Sequence, residues 1–149
     1  MVEPVQDMDP EGIEHEMGCV EALYKEHVLD GRVRFVSLPG RKCSPRIMDT
    51  FLGFEIRAGS KKVVCPDITS ARYLVIFTEL GLDRVCIPYD PTRTARILPD
   101  LEHSFRRIKE LLSGYSVSEK AQRRTGRTFA KLRDRLRQAE RSVAGINSC

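Results

Sequence analysis

The sequence predicts an α/β protein: a small mixed sheet of about four strands with a βαβ unit, followed by a C-terminal helical hairpin or extended basic helix. Three observations lead there. Short runs rich in Val, Ile and Phe, bounded by Gly and Pro, fall between residues 32 and 88. A strand, a helical stretch and a second strand follow one another directly over 61–65, 69–80 and 84–88. Beyond residue 91 apolar residues recur at three- and four-residue steps, the period of a helix with one buried face.

A first helix is expected from Pro10, with Asp9 as cap and Pro10 at the first helical position. Ile13, Met17, Val20, Tyr24 and Val28 form its apolar stripe, and Asp30-Gly31 stops it. RVRFVSL (32–38) reads as a strand, PGRKCSPR (39–46) as a polar loop, TFLGFEIRAG (50–59) as a second strand and KKVVC (61–65) as a third. The turn at 58–60 makes the last two a hairpin. Asp67 or Thr69 caps the next helix, which Gly81 closes, and DRVCIPYD (83–90) returns as a strand expected to lie parallel to 61–65. Leu98, Leu101, Phe105, Ile108 and Leu112 mark one long helix, which Pro99 is expected to delay to Asp100. Phe129, Leu132, Leu136, Ala139 and Val143 mark another. Their matched stripes suit a helical hairpin, or self-association through helices 92–112 and 118–143. The chain thus divides into a flexible acidic N-terminus over 1–10, an α/β domain over 11–112 and a basic helical tail over 113–149.

Among 149 residues, 41% are hydrophobic and 31% charged, which suits a folded domain rather than a disordered chain. The opening residues show neither a basic stretch nor an apolar one of the export type, and the longest apolar runs are far short of a membrane span, so a cytoplasmic protein without membrane insertion is expected. The net charge of +4 hides an asymmetry. Residues 1–30 carry nine acids and one base; residues 118–143 carry nine bases and three acids. Such a dipole bears on partners more than on fold.

The basic tail is the strongest partner signal. Arg123, Arg124, Arg127, Lys131, Arg135 and Arg141 fit a basic helical face able to neutralise phosphates. Arg41, Lys42 and Arg46 in the 39–46 loop suit the same polyanion, although the spacing is not that of a P-loop. The leading expectation is therefore a non-enzymatic nucleic-acid-binding protein, DNA or RNA. If the acidic first helix meets the tail within one molecule, that expectation weakens.

Two junctions resemble each other: V-V-C-P-D-I-T-S-A-R-Y-L over 63–74 and V-C-I-P-Y-D-P-T-R-T-A-R-I-L over 85–98. Each ends a strand with Pro and Asp and opens a helix with Ala-Arg-x-Leu. Asp67, Thr69, Arg72, Asp90, Thr94 and Arg96 form a possible anion or ligand site at the carboxyl edge of a parallel pair, which is the alternative reading as a small enzyme or ligand-binding domain. As ordinary caps and ion pairs the same residues need no ligand. An adaptor or oligomerisation role is the third reading. No motif specifies a reaction, a metal or a cofactor. Cys43, Cys65 and Cys86 form a soft-metal set only if the fold gathers them, and the odd total of five cysteines argues for free thiols.

The element order over 11–90 resembles the core of the restriction-endonuclease-like nucleases, which carry a metal-binding Asp on the second strand and Glu-x-Lys on the third. Asp49 matches the first position; Val64-Cys65-Pro66-Asp67 stands where Glu-x-Lys belongs. The resemblance implies nucleic-acid binding without metal-dependent cleavage.

Overall fold

The structure, a computed structural model, describes residues 10–40, 44–113 and 119–143. The expected flexible N-terminus, the Asp9 cap, the turn after Ser113, and Arg41, Lys42 and Cys43 lie outside the described residues. Helix α1 (Pro10–Leu23) passes into a π-helical turn, Tyr24–Val28. Strands β1 (Val33–Ser37), β2 (Arg46–Thr50), β3 (Gly53–Ala58) and β4 (Lys61–Cys65) follow. Then come α2 (Ile68–Leu80), β5 (Arg84–Pro88), α3 (Pro91–Ser113) and α4 (Glu119–Ser142). The α/β class and the C-terminal helical pair are as the sequence predicts.

The strands differ from expectation in number and pairing. Among the described residues there are five, in an antiparallel pair β1–β5 and an antiparallel sheet β2–β3–β4. The loop expected over 39–46 ends early, because Arg46–Thr50 is a strand paired with β3. The strand expected over 50–59 begins only at Gly53; Phe51 and Leu52 form a two-residue turn. Gly53 makes that turn possible: its φ is +133°, and a Cβ there would fall 2.9 Å from the Cys65 carbonyl oxygen. With four strands before α2, the order no longer matches the nuclease core.

The parallel pairing of β4 and β5 does not form, for a reason visible at the free edge of β5. Tyr89 N donates to Arg32 O and Leu38 N to Asp83 O, which sets the alternation of the β1–β5 ladder and turns the main-chain groups of Cys86 away from β1. Two tyrosines take those groups. Cys86 N donates to the Tyr24 hydroxyl at 3.0 Å, and the Tyr73 hydroxyl donates to Cys86 O at 2.7 Å. Two residues on, Pro88 has no N–H to offer. An edge sealed in this way cannot accept another strand.

The core lies where these tyrosines meet. Tyr24, Tyr73 and Phe77 are fully buried, with Phe77 stacked at tilted angles 5.8 Å from Tyr24 and 4.9 Å from Tyr73 between ring centres. The π turn swings Tyr24 inward, so its hydroxyl also donates to Glu140 Oε2 of α4 at 2.5 Å. Helix α2 begins and ends as expected: Asp67 Oδ1 accepts from Ser70 N at 2.7 Å, and Gly81 closes it at φ +93°.

Helix α3 is continuous through Pro99 rather than starting at Asp100. The missing proline N–H would have bonded to the Ala95 carbonyl; Ala95 is exposed, so water can replace that bond. The stripe of α4 is buried on its own chain: Phe129, Leu132, Leu136 and Ala139 pack among α1, α2 and α3, with the Phe129 ring 5.6 Å from Phe105. Among the described residues, no helix is long and apolar enough to cross a membrane.

Candidate functional site

The cations of α4 divide by the face they occupy. Those facing the body are engaged within the chain. Arg133 Nη1 donates to the Leu80 carbonyl at 2.7 Å, and Arg137 lies 3.6 Å from Asp83. Arg135 donates to Glu21 and Glu14 of α1, each at 2.7 Å. Burial pulls its pKa down, but the hydrogen bonds to Glu21 and Glu14 outweigh that and hold the guanidinium above its usual range. The acidic first helix therefore meets the basic last helix within one molecule, and Arg135 is not part of an exposed phosphate-binding face.

The other cations remain outward. Arg123, Arg127, Lys131 and Arg141 are exposed and Arg124 is half-buried. Arg124, Arg127 and Lys131, spaced by three and four, lie on one side of α4. They line one wall of a groove of about 300 Å3 whose floor and far wall are Ile13, Met17 and Glu14 of α1. None of the three carries an ion pair among the described residues. Arg46, at the start of β2, is also exposed, on a different element.

At the two junctions the expected ligand groups have structural work. Asp67 caps α2, and Asp90 Oδ1 accepts from Thr92 N at 2.9 Å at the start of α3. Arg72 forms a two-pronged pair with Glu102 of α3 rather than with Asp67. Arg93 donates to the His27 carbonyl at 2.8 Å, closing the end of the π turn. Thr94 is buried with its hydroxyl unpartnered among the described residues, Thr69 is half-buried and Arg96 is exposed. The parallel edge on which both junctions were expected to converge is absent, since β4 and β5 belong to different sheets.

One cleft gathers residues that look unrelated in sequence. Between α3 and the face formed by α1 and its π turn, Cys19, Glu26, His27, Asp100 and His103 line a space of about 360 Å3. His27 and His103 are 76 positions apart in the chain, so only the packing of α1 on α3 brings them together. Cys19 Sγ lies 3.7 Å from His15 Nε2. Among the described residues no three His, Cys, Asp or Glu side chains form a set able to hold a metal ion.

Cys65 and Cys86 are buried thiols, not joined in a disulfide. Burial, then the Asp67 charge, push the Cys65 thiol up to about 11 from 9.0, against a smaller opposing pull from Arg34. Burial likewise raises Tyr24 and Tyr73 above the usual 10.0. A group kept neutral in the fold but free to ionise when unfolded favours unfolding as pH rises. These groups leave stability level below the thiol's ordinary 9.0, then lower it: Cys65 across 9 to 11, the tyrosines above 10.0. Urea midpoints are expected to fall between about pH 8.5 and about pH 10.5, and Cys65→Ala to reduce that fall. A midpoint flat across this interval contradicts the assignment.

No protein-family model, no curated protein and no solved structure matches the chain.

Proposed function

We propose that the protein is a non-enzymatic nucleic-acid-binding protein in which the outward cations of α4 contact phosphates. The observation that carries this reading is the row Arg124, Arg127 and Lys131 on one wall of the α1–α4 groove, without ion pairs among the described residues. Three like charges at helical spacing repel one another. A phosphate backbone removes that repulsion and releases counterions as it binds. Arg135 is lost to this reading, since its pairs with Glu14 and Glu21 take it up within the chain and narrow the basic face to the outward cations. Phosphate contacts of this kind supply affinity and position, not base readout.

Deleting the chain after Gly114 is not a clean test, because it removes Phe129, Leu132, Leu136 and Ala139 from the core. Charge removal at solvent-facing positions is. In the full chain, the triple substitution Arg124→Gln, Arg127→Gln, Lys131→Gln is expected to weaken binding to labelled nucleic acid. It should also flatten the slope of log K against log salt by about 2 to 3, the share of three phosphate contacts. Titrations at several salt concentrations measure both. Unchanged affinity and slope in a variant that melts like the parent would remove α4 from the interface. The alternative, a small ligand-binding domain, draws most support from the α1–α3 cleft rather than the junctions; there His27 and His103 share a space with Glu26 and Asp100.

A further inference from the structure

Among the described residues, the sheet β2–β3–β4 has one face against α2 and one face open. Side chains alternate along a strand. The pairing places buried Ile56, Ala58 and Cys65 on the face toward α2. Arg46, Met48, Glu55, Arg57, Lys62 and Val64 fall on the other. There Arg46 stands directly opposite Arg57, and Arg57 directly opposite Lys62. Three cations thus form a row across all three strands.

Like charges directly opposite one another destabilise a sheet. Glu55 is the carboxylate placed to relieve them, 3.1 Å from Arg57 and 3.6 Å from Lys62. The hydrogen bond from Arg57 leads in holding that carboxyl below its usual range, with Lys62 adding to it. One acid against three bases leaves this face with two positive charges in excess. Arg57 and Lys62 remain more than half exposed, so the row is open to a partner from solvent.

A second feature lies on the same sheet, toward its other end. Next to the cationic row comes the row Met48, Glu55, Val64, with Val64 64% exposed. Beyond it the β2–β3 turn holds out Phe51 at 102% exposure and Leu52 at 84%. The turn is a tight one, closed by Gly53 and by the Thr50 hydroxyl donating to the Gly53 carbonyl at 3.1 Å. Cations at one end and a bare aromatic at the other are separated by about 13 Å of strand, from Arg57 to Gly53. This is the pairing by which proteins hold unpaired strands: charge for the backbone, a ring for the bases.

We propose that the open face of β2–β3–β4 is a platform for single-stranded nucleic acid, with phosphates on Arg46, Arg57 and Lys62 and a base stacked on Phe51. The inference rests on the nucleic-acid reading above and adds a surface on different elements from α4. Duplexes are poor occupants, because their bases offer no free face to an aromatic side chain. An acidic peptide satisfies the cations but makes no use of the ring.

The test is fluorescence anisotropy with the full-length chain and labelled 12-nucleotide single-stranded RNA, single-stranded DNA and the corresponding duplex, with poly-glutamate as competitor. Phe51→Ala removes an exposed ring that supports no packing, and is expected to weaken single-strand binding about tenfold while leaving the melting temperature unchanged. Arg46→Gln, Arg57→Gln, Lys62→Gln together are expected to flatten the salt slope on single strands by about 2. Preference for RNA or for DNA identifies the source, and either supports the proposal. If both sheet variants bind like the parent while the α4 triple variant loses binding, the platform is refuted and the α4 reading stands. If the parent binds none of the nucleic acids, or poly-glutamate displaces them with equal strength per charge, both are overturned.

Discussion

Tyr24→Phe is expected to destabilise the fold by about 3 kcal/mol, a large loss for one oxygen atom. The hydroxyl joins three elements: it is carried by the π turn, donates to Glu140 of α4 and accepts from the main chain of β5. Tyr24 and Cys86 are fully buried, so water does not reach the main-chain N–H left behind. Phenylalanine preserves the ring and its contact with Phe77 but strands a main-chain N–H and a carboxyl group. Each buried group left without a partner costs about 1–3 kcal/mol, more when charged. Glu140→Gln keeps an oxygen able to accept from Tyr24 and is expected to cost clearly less. Urea unfolding with an unchanged m-value measures both. A loss under about 1 kcal/mol for Tyr24→Phe would show that the hydroxyl does not tie these elements together.

Leu132→Ala is expected to cost about 3 kcal/mol, within the range for truncating a fully buried leucine. The position discriminates between two roles for α4. In the fold its stripe packs on α1, α2 and α3 of the same chain. Unfolding should then be cooperative, with a midpoint independent of protein concentration, and Leu132→Ala should lower the whole transition. A midpoint that climbs with protein concentration, or a variant that loses only self-association, would place the stripe between chains instead. Val143, half-buried at the end of the stripe, should lose far less on truncation to Ala.

Much of the local structure was legible because it depends on neighbours in sequence. Asp67 as a cap, Gly81 as a stop and the turn after Ala58 are decided by backbone geometry within a few residues. The stripes of α3 and α4 were legible for the same reason: a 3.6-residue period needs no knowledge of what the stripe meets. The β2–β3 turn was not. Thr50-Phe51-Leu52-Gly53 reads as strand by composition, and only pairing with β3 reveals Arg46–Thr50 as a separate strand. Turns built on apolar residues give no polar signal to read.

The candidate sites divide along the same line. Charge content of the tail is a property of composition, so a basic α4 was evident. Which of its cations face solvent is not. Arg135 carries the same charge as Arg127 and Lys131 and was grouped with them, yet it lies on the side toward Glu14 and Glu21. The row Arg46, Arg57, Lys62 was hidden for a stronger reason, because two strand registers must be known before three scattered bases become one line.

By itself, then, the sequence determined the α/β class, both ends of α2, the long apolar stripes and the opposition of an acidic beginning to a basic end. These follow from periodicity and from caps, which act over one or two turns. Only the tertiary structure decided that β4 and β5 stay apart, since the hydroxyls that seal the edge of β5 come from Tyr24 and Tyr73, 62 and 13 positions from Cys86. Only it decided which charges cancel within the chain and which stay exposed to solvent. Both outcomes depend on contacts between residues far apart in sequence, and packing the whole chain is what brings them together.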